Sequence, residues 1–289
     1  MLSVHRIIYK AQLDPQSIRR LSSLDALIMS DSKKYSNKLA GARVLVIGGS
    51  SGIGYCVAEA SLEFGASVII SSSRQSRIDS SIEKLLQTYP SAKGRIAGFP
   101  CDLSSPSVEA NIEKLFEQCG APKFDHIVHT AGDRLATLKL QDATLDAMQA
   151  AAMVRFNSPL LLAKHAPKHL NPGPASSITL TTGSVSRKPM KDWSVVASYA
   201  TGLHGMVRNL ALDLAPVRVN LISPGAVLTE LWDGLEKKQM EMFMEHAKGR
   251  TTTGDIGRPE DVAESYLYVM RDSNVSGSVI DTNGGALLT

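Results

Sequence analysis

The stretch Val44-Leu45-Val46-Ile47-Gly48-Gly49-Ser50-Ser51-Gly52-Ile53-Gly54 decides the fold of this chain. Its first four residues form a short, continuously apolar run of the kind that makes a strand buried on both faces. The glycines then make a tight turn. Beyond it Ile53, Cys56, Val57, Ala60 and Phe64 fall on one helical face, and Gly65 supplies a stop. Strand, glycine turn and helix in that order bring backbone N–H groups and a helix N-terminus against a pyrophosphate, and only glycine leaves room for one. Glycines alone would be a weak signal. Between a strand and a helix they are a fairly strong one, with a plain glycine-rich turn as the competing reading.

Working outward, the same grammar repeats. Apolar runs at Val68–Ser71, Ile96–Phe99, His126–His129, Ile178–Thr181, Val217–Ile222 and Val279–Asp281 alternate with longer stretches of helical period. Such βαβ alternation predicts an α/β Rossmann-type fold: a doubly wound, seven-stranded parallel sheet with helices on both faces. Helices are expected at about 145–168 and 196–214. No linker interrupts the body, so residues 41–289 read as one domain behind a basic extension of residues 1–40.

Charge separates these two parts. The net charge is +3, yet residues 1–40 hold seven Lys/Arg against three Asp, a surplus of +4, which leaves the body at −1. A basic face for nucleic acid is therefore not implied. The extension overlaps in composition with mitochondrial transit peptides, although Asp14 and Asp25 weaken the match. A solvated arm, or a natural start at Met29, are the other readings, and a cytoplasmic location is the default expectation. Three widely spaced cysteines (Cys56, Cys101, Cys119) fit a reducing compartment without a metal-binding pattern. No apolar run approaches the roughly 20 residues that a membrane span needs.

The spacing of Gly48, Gly52 and Gly54 resembles the short-chain dehydrogenase/reductase family. Further motifs support the resemblance over nearly the whole body: Asp102-Leu103, His129-Thr130-Ala131-Gly132, Pro224-Gly225, Thr229, Arg258-Pro259-Glu260-Asp261-Val262 and Gly284-Gly285. The resemblance implies that Gly48, Ser50, Ser51, Gly52, Ile53 and Gly54 cradle a dinucleotide. It gives Asp102 and Leu103 to the adenine and Thr229 to the nicotinamide amide, and it places Ala131, Gly132, Pro224, Gly225 and Val227 among the other cofactor-binding residues. The second strand ends in Ser71-Ser72-Ser73-Arg74-Gln75-Ser76-Arg77 without the carboxylate that an NAD ribose requires. Ser73 and Arg74 suit a 2′-phosphate, which points to NADP(H), unless the arginines are merely solvated.

In this family an Asn-Ser-Tyr-Lys tetrad carries the chemistry. Here the helix ending at Pro216 aligns with the family's without a gap, and the four positions fall on Arg155, Gly183, Val196 and Ala200. Tyr199 and Asn157 resemble survivors, but Tyr199 lies three residues past the Tyr position and has Leu203 where its lysine would stand. Both are expected to be packing residues. The chain is thus similar to a divergent branch that includes fungal NADPH-dependent reductase/Diels–Alderases of bicyclodiazaoctane indole alkaloid biosynthesis. Those enzymes also have arginine in place of the Asn. They carry a functional aspartate in a Pro-Asp-Pro-Gly-Trp loop, where this chain has Met190, with Asp192 only a neighbour.

The residues expected to do chemistry are therefore Arg155, Ser184, Asp192 and Trp193, with Asp133 and Arg134 lining the pocket. Leu231-Trp232-Asp233-Gly234-Leu235 and the following Met240, Met242, Phe243 and Met244 read either as a substrate lid for a bulky apolar ligand or as a helix packed on the body. Gly234 and the run Gly249 to Gly254 are candidate hinges. Three functions stay open: a reductase of iminium or similarly activated double bonds, a non-redox pericyclase or isomerase that uses the dinucleotide as structure, and a non-catalytic dinucleotide binder. The resemblance also implies a homodimer or homotetramer acting on a small molecule.

Overall fold

Alternate residues of the inner strands feed two cores. In β1 (Arg43–Ile47), Leu45 and Ile47 join one apolar cluster while Val44 and Val46 join the other. This is what period-two side chains must do in a sheet covered on both faces. The computed structural model describes residues 32–233 and 236–289. The chain divides after Lys38, and the sheet with all its helices belongs to the unit Leu39–Thr289.

After β1 come α1 (Gly52–Glu63), β2 (Ser67–Ser72), α2 (Gln75–Thr88), β3 (Ile96–Pro100), α3 (Val108–Cys119) and β4 (His126–His129). The second half runs α4 (Leu145–Ala152), α5 (Ser158–His165), β5 (Ser177–Thr181), α6 (Ser194–Asp213), β6 (Arg218–Pro224), α7 (Lys237–Lys248), α8 (Pro259–Arg271) and β7 (Val279–Thr282). The sheet order is β3-β2-β1-β4-β5-β6-β7, with every ladder parallel. All seven expected strands are present, their ends displaced by at most two residues. Residues of α3, α5 and α6 pack on the Leu45 face, and residues of α1, α2 and α8 on the Val44 face. Each buried Leu, Ile or Val in these layers contributes about 1.5–3 kcal/mol.

Two expectations need correction. The face of α1 is wider than the sequence suggests. Cys56 and Val57 are buried, but Ile53, Ala60 and Phe64 are only half-buried, while Ala58, Ser61 and Leu62 are buried. The helix is clasped between the sheet and α8, so a single stripe underestimates its burial. The helix expected over 145–168 is also not continuous: a π turn, Met153–Asn157, separates α4 from α5. Pro159 ends the π register after one turn. The Ser158 N–H bonds to the Met153 carbonyl. Val154 then has only the nitrogen of Pro159 in π register, and that nitrogen carries no proton.

One buried cation ties the last part of the fold together. Arg218, only 3% exposed, opens β6. Its guanidinium donates to the carbonyls of Pro174 (2.6 Å), Val269 (2.6 Å), Met270 (3.2 Å) and Val275 (3.2 Å). Val269 and Met270 lie in the last turn of α8, where carbonyls lack helical partners.

Candidate active site

Strand order reverses between β1 and β4, so the crevice for a ligand opens at their carboxyl ends. There the β1–α1 turn closes on the segment after β4. Gly48 has φ +89°, and a Cβ on it would come within 2.5 Å of the Ala131 nitrogen. A Cβ on Gly54 would run into the Gly48 carbonyl and the Thr130 hydroxyl. Thr130 itself donates through Oγ1 to the Ile47 carbonyl at 3.0 Å. Thr229 packs over Gly52 from the other side. The expected cradle residues of the β1–α1 turn, Ala131 and Thr229 are thus brought together by contact.

The remaining binding residues are placed at the strand ends. Ser73 and Arg74 follow β2 and are exposed, as is Arg77, with no carboxylate among residues 71–77. Asp102 follows β3, but its carboxylate accepts hydrogen bonds from Ser104 N (2.9 Å) and Ser104 Oγ (2.7 Å). The Leu103 side chain is buried in the core, which leaves its backbone for recognition. Gly225 N donates to Thr282 O at 3.1 Å, and Val227 O accepts from Trp232 Nε1 at 2.9 Å. A cradle that excludes side chains, beside a helix N-terminus and two exposed arginines, fits a dinucleotide with an extra phosphate.

Arg155 sits on the π turn, and its guanidinium lies directly against Gly132, where an added Cβ would meet its Cζ at 2.8 Å. Asp133 holds it there. Arg155 Nε donates to Asp133 Oδ1 at 3.1 Å, and Nη2 donates to the Asp133 carbonyl. Nη1 has no hydrogen-bond partner among the described residues. Around this pair lies a third apolar cluster: Ala151, Val195, Val196, Tyr199 and Ala200, joined by Leu135, Ala136, Ala143, Phe156, Val185 and Trp193. Trp193 is thereby placed beside the site, at the start of α6.

Val196 (2% exposed) and Ala200 (4% exposed) face this cluster from α6. Thr182 Oγ1, at the end of β5, donates to the Ala200 carbonyl at 2.8 Å, so Ala200 stands at the mouth of the sheet. An added Cβ on Gly183 would meet only the Pro224 carbonyl, at 3.9 Å. Tyr199 is buried (8% exposed) in the same cluster. Burial pushes its phenol up, against the pull of Arg155 and with the push of Asp133. Tyr199 therefore lies within electrostatic reach of the Arg155–Asp133 pair.

Ser184 opens a short 3-10 turn, Ser184–Ser186, and its carbonyl caps Arg187 and Lys188. Asp192 is exposed with φ 65°, and makes no hydrogen bond or ion pair among the described residues. The structure does not join it to Arg155. Asn157 likewise lies on the π turn without a side-chain hydrogen bond among the described residues. Trp232 packs against Phe243 of α7 at 4.3 Å between ring centres. Met240 and Met244 are half-buried and Met242 is exposed, while the hinge candidate Gly234 lies outside the described residues, as does the extension before residue 32.

The C-terminal segment straps two loops at this end of the sheet. Lys188 Nζ donates to the Ala286 carbonyl at 2.8 Å and to a Thr289 oxygen, and Arg187 pairs with Asp281 at 2.9 Å. On the other side Thr252 N donates to Gly284 O at 2.8 Å, and Thr289 Oγ1 donates to Arg250 O at 2.8 Å. The three cysteines are free and buried, and burial pushes the thiols of Cys56 and Cys101 up to about 12 and that of Cys119 to about 11. None is poised as a nucleophile.

The residues missed in the sequence are second partners rather than new chemistry. The grip of Asp133 on Arg155 and the π turn beneath it carry no linear motif. Ser158-Pro159 inside a helical run was the available signal.

Comparison with known proteins gives a consistent picture. The model for an SDR-like Rossmann domain matches residues 35–289. The short-chain dehydrogenase/reductase fsr5 of Gibberella fujikuroi is 51% identical over 265 residues, covering 90% of this chain and all of that protein. The short-chain dehydrogenase/reductase malC of Malbranchea aurantiaca is 39% identical over 264 residues, with 90% and 100% covered. The solved structure of the MalC reductase/Diels–Alderase from Malbranchea aurantiaca superposes with a TM-score of 0.83 at 40% identity, covering 88% of this chain and all of that one. A small-chain dehydrogenase in complex with NADPH superposes at 0.70 with 29% identity, covering 86% of this chain and all of that one.

Proposed function

Because this chain belongs to the short-chain dehydrogenase/reductase family, with an SDR-like Rossmann domain over residues 35–289, we propose that it is an NADP(H)-dependent reductase acting on an iminium or similarly activated double bond of a bulky apolar substrate. The observation that carries this reading is the wall of the cleft. The positions matching the family's proton relay are Val196 and Ala200, both buried and apolar, and a guanidinium clamped by Asp133 stands where the family has Asn.

The cradle of Gly48 to Gly54 would hold the pyrophosphate, and Ser73, Arg74 and Arg77 the 2′-phosphate. Bound NADPH supplies a hydride. Reducing a ketone also needs a proton at the developing alkoxide, and losing a positioned acid costs roughly 10²–10⁴-fold. Val196 and Ala200 have no proton to give. An iminium carbon is already cationic, and its reduction yields a neutral amine without protonation, so the site is suited to C=N reduction. Arg155 keeps Nη1 for an oxygen of the substrate, while Val185, Trp193, Val195 and Tyr199 offer it an apolar wall. Alkaloid-like natural products have this combination of size, apolarity and imine chemistry.

A second reading is favoured by the relative described as a reductase/Diels–Alderase. A pocket that orients without donating protons also serves an intramolecular cycloaddition, where holding reactants in place is the main contribution. A panel of cyclic imines with NADPH, followed by cofactor absorbance and product mass, separates these readings. Hydride incorporation supports the reductase, and turnover without NADPH loss supports the pericyclase. Binding of NADPH with no turnover across the panel would overturn both. Exposed Leu160 on α5 and Leu212 on α6 support a homo-oligomer built through those helices.

A further inference from the structure

The buried pair His129–Ser158 lies beneath Arg155 and has no part in the chemistry described above. Three facts converge on it. The Val154 carbonyl, adjacent to Arg155, loses its helical donor because the Ser158 N–H bonds to Met153 and Pro159 has no N–H. Ser158 Oγ replaces that donor, bonding the Val154 carbonyl at 2.8 Å. His129 Nε2 lies 3.1 Å from the same Ser158 Oγ.

The single hydroxyl proton of Ser158 is used on Val154, so His129 must donate through Nε2–H, which fixes its tautomer. His129 is buried, and burial brings its imidazole down to about 4, so the ring is neutral at physiological pH. Its backbone is held too. The His129 carbonyl accepts from Thr181 Oγ1 at 2.7 Å, and Thr181 Oγ1 lies 2.7 Å from the fully buried Tyr266 hydroxyl. A rigid chain of bonds thus runs from α8 through β5 and β4 to the turn that carries the guanidinium.

We propose that His129 and Ser158 are positioning residues that fix the π turn and so set Arg155 against Gly132 in register with Asp133. This deepens the reading of Arg155 as the group that orients substrate, but its test needs neither substrate nor NADPH. Protein labelled with ¹⁵N-arginine reports each protected Nε–H by NMR, and Arg155→Lys identifies the Arg155 signal. Arg218 Nε–H, bonded to the Pro174 carbonyl at 2.6 Å, is the internal control.

Losing one buried hydrogen bond typically shifts a local equilibrium by roughly tenfold or more. Ser158→Ala is therefore expected to speed water exchange at Arg155 Nε–H about tenfold and leave Arg218 unchanged, and Ser158→Thr is expected to restore it. Should Ser158→Ala fail to fold, the nearly isosteric Ser158→Cys, a weak donor, takes its place. An unchanged Arg155 signal, equal loosening at Arg218, or no protected Arg155 Nε–H in the wild-type protein each overturns the proposal. Failure of NADPH to reduce 1-methyl-3,4-dihydroisoquinoline would count against the reductase reading alone.

Discussion

Replacing Arg218 by methionine should unfold this protein at a markedly lower temperature without touching the cleft. The side chain is buried, makes no ion pair with a carboxylate among the described residues, and satisfies four carbonyls from three segments. Methionine fills similar space but donates nothing. Leaving buried acceptors unpaired costs about 1–3 kcal/mol each where water cannot enter. The cation also faces the negative end of α8, which adds about 0.3–2 kcal/mol. Some of the freed carbonyls will recover a partner from water, so a net loss of about 3–5 kcal/mol is the reasoned figure. For a domain of this size that corresponds to a fall in Tm of roughly 10 °C or more. Thermal melts by circular dichroism at matched scan rates, backed by urea titration, measure it. Arg218→Lys should recover less than half, because an ammonium cannot span the fork. A methionine variant melting within about 3 °C of wild type would refute the reasoning, since 1 kcal/mol alone moves Tm by about that much.

Four further predictions concern the site and its surroundings. Gly54→Ala should destabilise the turn by about 1–3 kcal/mol and weaken NADPH binding, read by calorimetry, because the methyl collides with the Gly48 carbonyl and Thr130; unchanged affinity would place the cofactor elsewhere. Tyr199→Phe should leave turnover nearly intact while Arg155→Ala lowers it clearly, and a loss of several hundred-fold in the tyrosine variant would mean that the α6 register is wrong. Arg74→Glu should cost NADPH about tenfold or more in Kd and spare NADH, since it removes a charge-assisted bond to the 2′-phosphate; equal effects on both cofactors would remove Arg74 from phosphate recognition. Stability should fall on acidification from about pH 6.5 toward pH 4. Both His126 and His129 are held down to about 4 by burial, so the unfolded chain binds protons first in that window. A flat Tm across it would show that the two rings are not buried neutral.

How much of this architecture is legible in the sequence differs by level. The strands are legible because a parallel sheet buried on both faces writes itself as short apolar runs rich in Val and Ile, as in Val44 to Ile47 and Ile178 to Leu180. The cradle is legible because its constraint is steric: Gly48 and Gly54 meet backbone or a hydroxyl at distances no side chain tolerates. The placement of Arg155 is not. Its geometry depends on a proline that removes one proton, a serine that replaces it and a histidine 29 residues from that serine, and no periodicity records such a relation. The helix over 145–168 reads as continuous for the same reason: apolar spacing survives a π turn even though the hydrogen-bond ladder does not.

The strap formed by Gly284 to Thr289 has a consequence for how the cleft can change. Lys188 hangs from one side of it, and Thr252 and Arg250 from the other. The loop leading to Trp193 and the segment closing α7 therefore share one tether. Widening the opening on either side pulls on the same few hydrogen bonds, so the two walls adjust as a pair. A substitution that breaks one of these hydrogen bonds is therefore felt by both loops and not by one alone. Six residues of chain thus make one mechanical unit of two loops that lie far apart in the sequence.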